Sequence, residues 1–192
     1  MSKFKLTAKQ QEAQRVFASG AIHILLVGGS RSGKTFLIVR NLVMRALKAP
    51  NSRHSMFRYR FNSIKASVIL DTFPKVMRLV FPGVTYRLDK TDFYATFPNG
   101  SQLWFGGLDD KERAEKILGM EFATIALNEC SQIPYSSVEM AITRLAQQVD
   151  QQIDGKEPTP LKPRMYYDEN PPSKAHWTCL LYTSPSPRDR TR

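Results

Sequence analysis

Cysteine is nearly missing from this chain. Cys130 and Cys179 are the only two, too few for a disulfide framework and at no metal-binding spacing, so a reducing cytoplasm is the expected setting. Long apolar runs are missing too. Ile24–Val27 and Phe36–Val39 are the longest, far short of the about 20 residues that cross a bilayer. No membrane partner is expected, and Met1–Ser19 lacks the continuous apolar stretch of a secretory signal. Acidic residues are scarce: 17 Asp and Glu face 28 Lys and Arg, for a formal charge of +11. A field of that sign draws polyanions such as nucleic acid, although it also serves as a plain solubilising surface. No internal repeat is present. A chain of 192 residues, 42% hydrophobic, suits one globular domain with a real core.

What is present is an alternation of strand and helix patterns. Thr7–Phe17 reads as a helix, with Gln10 three residues after Thr7 in capping-box spacing. Ala21–Val27 is an apolar strand, Thr35–Leu47 an apolar-rich helix and Ser55–Phe61 a further strand. Ile64–Phe81 has a helical pattern in which Pro74 predicts an interruption. Val84–Leu88, Phe93–Phe97 and Gln102–Phe105 suggest a meander, with Asn99-Gly100 as a hairpin turn. Phe122–Leu127 is an apolar strand. Pro134 and a second capping-box spacing, Ser136 with Glu139, open a helix whose apolar face runs through Val138, Ala141, Ile142, Leu145 and Val149. Asp150–Pro163 reads as a polar linker, and Met165–Tyr167 begins another strand. The alternation predicts an α/β fold, a mostly parallel sheet flanked by helices.

Between the first strand and its helix lies Gly28-Gly29-Ser30-Arg31-Ser32-Gly33-Lys34-Thr35, which satisfies G-x-x-x-x-G-K-[ST] in the required strand–loop–helix setting. Glycines let the backbone wind so that successive N–H groups converge on phosphate oxygens. The helix that starts there points its unpaired N–H groups and positive dipole end at the same anion. Lys34 is expected to reach the β- and γ-phosphates of ATP, and the Thr35 hydroxyl to coordinate Mg²⁺. Arg31 has two readings, a contact to the γ-phosphate or a solvated side chain.

A hydrolase of this type also needs a carboxylate at the end of a neighbouring strand. Thr124-Ile125-Ala126-Leu127 ends on Asn128-Glu129, which makes Glu129 the candidate to polarise the attacking water. Asn128 stands where an aspartate is usual; its carbonyl oxygen would meet Mg²⁺ through a bound water, and Asn128→Asp is expected to be tolerated. Cys130 reads as a small core residue, not a nucleophile. Asn170, after the strand that begins at Met165, is either a γ-phosphate sensor or a turn residue favoured before Pro171. Arg53, His54, Arg58, Tyr59, Arg60 and Lys65 form a basic, aromatic-bearing stretch, read either as a contact to DNA phosphates or as a solvated edge.

The ordered series of motifs resembles the large subunit of a tailed-phage terminase. Leu6-Thr7-Ala8-Lys9-Gln10 and the glycine loop are followed by Phe105-Gly106-Gly107-Leu108-Asp109 and Gly119-Met120-Glu121-Phe122. Asn128 to Ile133, Arg144-Leu145, Tyr167 to Pro171 and His176-Trp177 complete it. The resemblance covers about residues 4–177 and implies a RecA-like P-loop ATPase of the additional-strand class that powers packaging of double-stranded DNA into a procapsid. It implies adenine reading by Gln10, besides its capping role, and catalysis by Glu129; Lys34 and Arg31 of the glycine loop are the further catalytic candidates. It further implies a homo-oligomeric ring with an arginine acting in trans, for which Arg113 and Arg144 are candidates. Portal protein and terminase small subunit would be the partners, and the host cytoplasm at the procapsid the place. Another P-loop nucleic-acid motor such as a helicase, or an inactive nucleotide-binding module, is the alternative.

The stretch Cys179–Arg192 is abruptly rich in Ser, Pro and Arg and resembles a translated sequencing-library adapter. The expectation is a motor domain over 1–178, incomplete at its C-terminus, with a foreign 179–192 and without the family's nuclease domain. Losing three Arg and one Asp would still leave a charge of +9.

Overall fold

The computed structural model describes residues 5–109, 114–115, 119–171 and 176–179. Helix α1 (Ala8–Ala18) opens with the expected capping box: Gln10 N donates to Thr7 Oγ1 at 3.3 Å and Thr7 N to Gln10 Oε1 at 3.0 Å. Strand β1 (His23–Val27) leads through the glycine loop into helix α2 (Lys34–Lys48). Gly33, the residue before α2, has φ 86°, a left-handed conformation that suits glycine. The inward face of α2 buries Leu37, Ile38, Leu42, Val43 and Ala46, each large side chain contributing about 1.5–3 kcal/mol by leaving water.

Strand β2 (Arg53–Arg58) begins two residues earlier than the sequence pattern suggests. It is followed by α3 (Phe61–Ile64), a π-helical stretch (Lys65–Thr72) and α4 (Phe73–Val80). Pro74 does not interrupt this segment: it sits in the first turn of α4, where no amide hydrogen is needed, and the irregularity is the wide π turns just ahead of it. Strands β3 (Arg87–Asp89), β4 (Tyr94–Thr96) and β5 (Gln102–Gly107) form the meander. Its Asn99-Gly100 turn is closed by Phe97 N to Ser101 O at 2.9 Å, and Asn99 Nδ2 ties it to Ala46 O of α2 at 2.8 Å.

After β6 (Thr124–Leu127), helix α5 (Tyr135–Thr143) starts directly after Pro134 with no side-chain cap. Ser136 therefore lies inside the first turn, and the capping box expected from Ser136 and Glu139 does not form. Leu145 and Val149 fall beyond the helix end. The stretch read as linker holds a small ribbon, β7 (Asp150–Gln151) against β8 (Thr159–Pro160). Strand β9 (Arg164–Glu169) then runs two residues past the apolar Met165–Tyr167, so Asp168 and Glu169 belong to the sheet and are buried.

The main sheet has the order β1-β9-β6-β2-β5-β4-β3. Neighbours from β1 to β5 are parallel, and β4 and β3 add an antiparallel edge. The mostly parallel α/β prediction holds. Leu127 pairs with Tyr167 and Val27 with Glu169, which brings the carboxyl ends of β1, β9 and β6 level, where α/β sheets build their sites.

Because β2 lies inside a parallel sheet, both of its faces are covered. His54 is fully buried and is no DNA contact, contrary to the sequence reading. Ser52 Oγ donates to Ala49 O at 2.6 Å, so His54 Nε2, 2.8 Å away, donates to Ser52 and the ring is neutral. Burial, then the charge of Arg45, pushes its pKa from 6.5 down to about 3. Below pH 6.5 the unfolded chain takes up a proton that the folded chain refuses, so stability falls on acidification across the window from 6.5 to about 3. At pH 5 the loss is about 2 kcal/mol. The urea midpoint is expected to drop between pH 7 and pH 5, and to drop less in His54→Gln; an equal drop in both would remove His54 as the cause.

Candidate functional site

The loop Gly28–Thr35 sits over the carboxyl ends of β1 and β9, tied down by Gly28 N to Glu169 O at 3.2 Å. Lys34 Nζ folds back onto it, donating to Gly28 O (2.5 Å), Gly29 O (2.9 Å), Ser32 Oγ (3.3 Å) and Asn170 Oδ1 (3.3 Å). Asn170 Nδ2 in turn reaches Ser30 Oγ at 3.4 Å. The sequence left Asn170 open between sensor and turn residue; the structure sets it against the loop and its lysine. Gln10 packs against the loop as well. A Cβ on Gly33 would lie 2.6 Å from Gln10 Nε2, so the amide that closes the α1 cap also borders the glycine turn.

Two hollows flank Lys34. A cleft of about 490 Å³ between α1 and the loop is lined by Gln10, Ala13, Val16, Val27, Gly28 and Gly29, among others. A smaller recess of about 130 Å³ is lined by Ser30, Arg31, Lys34, Thr35, Glu129, Asp168, Glu169 and Asn170. Arg31, in a left-handed conformation (φ 63°), is exposed and borders this recess.

Behind the recess is a buried polar cluster. The Thr35 hydroxyl donates to Asp168 Oδ2 at 2.9 Å. Asn128 Nδ2 donates to both Asp168 oxygens at 2.8 and 2.9 Å and approaches Thr35 Oγ1 at 3.2 Å. Glu129 N donates to Asp168 Oδ1 at 2.6 Å. Burial pushes the Asp168 carboxyl above the usual carboxylate range, opposed by those hydrogen bonds and by the charge of Lys34. Asn128 thus presents its amide hydrogens to this cluster, where the sequence reading had its carbonyl oxygen.

The side chain of Glu129 takes no part in that cluster. Its backbone is left-handed (φ 50°), and its carboxylate pairs with Arg58 and accepts from Gln132 Nε2 at 3.1 Å. Arg58, grouped by sequence with the DNA-contact candidates, is turned into the site instead: its side chain is 14% exposed and also holds Ser67 Oγ at 3.1 Å. Burial and the neighbouring Glu169 and Asp168 push the Cys130 thiol up, which fits an inert core cysteine. His176 and Trp177 brace the segment after Glu129, through Ser131 O (3.0 Å) and Ile133 O (3.2 Å).

Gln10, the loop from Gly28 to Thr35, Asn128, Glu129 and Asn170 therefore converge. Arg144 does not join them: its carbonyl meets Phe122 N at 2.8 Å, ahead of β6 and at its opposite end. Arg113 and residues 180–192 lie outside the described residues. Sequence reasoning missed Asp168; the available signal was a pair of carboxylates directly after an apolar strand run.

Thr35 and Asp168 are hard oxygen donors side by side next to a phosphate loop, a set that suits Mg²⁺. Among the described residues no group of three or more His, Cys, Asp or Glu could hold a metal ion, and no helix is long and apolar enough to cross a membrane.

The family model described as phage terminase large subunit matches residues 21–192. The fold is similar to the large terminase of a thermophilic bacteriophage, with TM-score 0.73 and 19% identity over 93% of this chain and 42% of that one. That thermophilic phage protein has also been solved with ADP and with ATP-γ-S. The bacteriophage HK97 large terminase matches with TM-score 0.67 and 14% identity, over 93% of this chain and 36% of that one. The N-terminal domain of the bacteriophage phi29 DNA packaging ATPase matches with TM-score 0.61 and 17% identity, over 92% and 88%. The chain thus spans about two fifths of the length of the thermophilic phage terminase. Its sequence has no significant match among curated proteins.

Proposed function

Since this chain belongs to the phage terminase large-subunit family, we propose that it hydrolyses ATP to drive double-stranded viral DNA into a procapsid. The observation that carries this reading is the meeting of Lys34 and Thr35 with Glu129 around one recess at the ends of parallel strands. The loop N–H groups and Lys34 bind the β- and γ-phosphates, and Gln10 borders the cleft that would take the base. Bound Mg²⁺ supplies neutralisation of charge on the phosphates. Thr35, with Asn128 behind it, stands where it would be held. Glu129 takes the proton of the attacking water, once its carboxylate parts from Arg58. Arg31 and Asn170 flank the γ-phosphate end and report its loss to the rest of the domain.

Work on DNA requires a ring of copies, with Arg113 or Arg144 as the arginine offered to a neighbour, and docking to portal protein and small subunit in the host cytoplasm. The net charge of +11 favours DNA as the polymer. Arg53, Tyr59, Arg60 and Lys65 remain the candidates for its phosphates.

ATP turnover measured with and without double-stranded DNA tests the reading. Mg²⁺-dependent turnover that rises with DNA is expected. Strand separation of a duplex would favour a helicase, and nucleotide binding without any turnover would leave an inactive binding module.

A further inference from the structure

Strand β6 is followed by Asn128, an uncharged amide where the resemblance leads one to expect an aspartate. A carboxylate is nevertheless found beside Thr35. It comes from the next strand: Leu127 and Tyr167 are paired in the parallel ladder, so the residues that follow them, Asn128 and Asp168, emerge side by side. We propose that Asp168 supplies the carboxylate that holds the Mg²⁺ of the bound nucleotide beside Thr35, and that Asn128 is its positioning residue. The proposal rests on the ATPase reading above and names the metal-holding group within it.

Three observations carry it. Thr35 Oγ1 and Asp168 Oδ2 are 2.9 Å apart. Neighbouring corners of an octahedron with Mg²⁺–oxygen bonds of about 2.0–2.1 Å are separated by about 2.9 Å, so the spacing of the two oxygens matches one ion once the hydroxyl proton turns away, or Asp168 can hold it through a coordinated water. Asp168 is 1% exposed, and it forms no ion pair among the described residues. Its oxygens accept hydrogen bonds from Thr35, Asn128 and Glu129 N, and a cation at the recess would add the opposite charge that a buried carboxylate otherwise lacks. Finally, Asn128 offers its amide hydrogens to both Asp168 oxygens. An aspartate at 128 would face Asp168 with like charge across the same 2.8–2.9 Å. The asparagine is therefore what the displaced carboxylate requires, and Asn128→Asp alone is expected to be harmful, reversing the expectation from sequence.

The test is the gain in affinity for a fluorescent, non-hydrolysable ATP analogue when Mg²⁺ is added to the 192-residue chain. The unaltered chain is expected to bind tighter with Mg²⁺. Asp168→Asn should lose about 10–100-fold of that gain, with circular dichroism reporting whether the variant is folded. Asn128→Asp should weaken the gain, and the exchange Asn128→Asp/Asp168→Asn should restore it, because a carboxylate and its amide partner again stand beside Thr35. A full Mg²⁺ gain in Asp168→Asn overturns the proposal and leaves the ATPase reading standing. If Asp168→Asn does not fold, the exchanged variant decides alone: a recovered gain supports the proposal and a lost one overturns it. Absence of nucleotide binding by the unaltered chain, with and without Mg²⁺, would instead bring down the ATPase reading and the proposal together.

Discussion

Glu129→Gln is expected to lower ATP turnover by about 10²–10⁴-fold, the usual worth of a general base, with ATP affinity close to that of the unaltered chain. Of the acidic side chains that border the recess, Asp168 and Glu169 are 1% and 2% exposed, whereas the Glu129 side chain is 34% exposed. Glu129 is therefore the most open of the three to an attacking water. Its backbone conformation is unfavourable for a residue with a side chain, by about 1–3 kcal/mol. It is held in place by Glu129 N to Asp168 Oδ1 (2.6 Å) and by Asn128 N to Phe57 O (2.8 Å). Glutamine has the same length and can still accept from Arg58 and Gln132 through its amide oxygen, so the local fold should survive while the base is lost. Parallel turnover and nucleotide-titration measurements separate the two effects. Near-normal turnover in Glu129→Gln would mean that another group activates the water.

Lys34→Ala should abolish turnover by a different route, through loss of phosphate binding. A hydrogen bond to a charged group contributes about 1.5–3 kcal/mol, so losing the lysine contact to phosphate weakens ATP binding by about 10–100-fold. Nucleotide must compete with the loop for this lysine, since Nζ already donates to Gly28 O, Gly29 O, Ser32 Oγ and Asn170 Oδ1. Carbonyl oxygens are weaker partners than a polyphosphate, which makes the exchange favourable. Alanine also leaves those carbonyls without their donor, and some loosening of the loop is expected in hydrogen exchange. A titration showing unchanged affinity for Mg²⁺-ATP in Lys34→Ala would sink the assignment of the loop.

How far the site could be read in one dimension depended on the range of the interactions. The glycine loop and the Thr7–Gln10 cap are local devices, in which residues a few positions apart complete one hydrogen-bond pattern, and both were legible. The place of Glu129 beside the recess was legible because the apolar run of β6 is followed by the polar pair Asn128-Glu129. Asp168 was not, because its burial is made tolerable by Thr35, Asn128 and Glu129 N, partners far away in sequence, and the apolar pattern of its strand stops at Tyr167. Arg58 and His54 misled for a related reason. A parallel strand covered on both faces loses the alternation that marks an exposed edge, so a basic run looked solvated when two of its members face inward. The π turns over Lys65–Thr72 leave no period that a helical pattern would betray, and the proline downstream drew the attention instead.

The place of β9 in the sheet has a consequence for the order in which the protein takes shape during synthesis. β1 pairs with β9, and β9 pairs with β6 on its other side, so the strand that carries the glycine loop finds its ladder partner only near residue 169. The loop leaves the ribosome about 140 residues before that partner, a delay of about 7–28 s at about 5–20 residues per second. Through that interval β1 lacks its ladder partner, and both edges of its apolar Ile24, Leu25 and Leu26 are open, the situation in which nascent chains associate wrongly. Asp168 and Asn170 arrive with the same late strand. The nucleotide site thus forms only after β9 has been made, and a nascent chain stalled before residue 164 would carry an intact glycine loop with nothing to hold it in register.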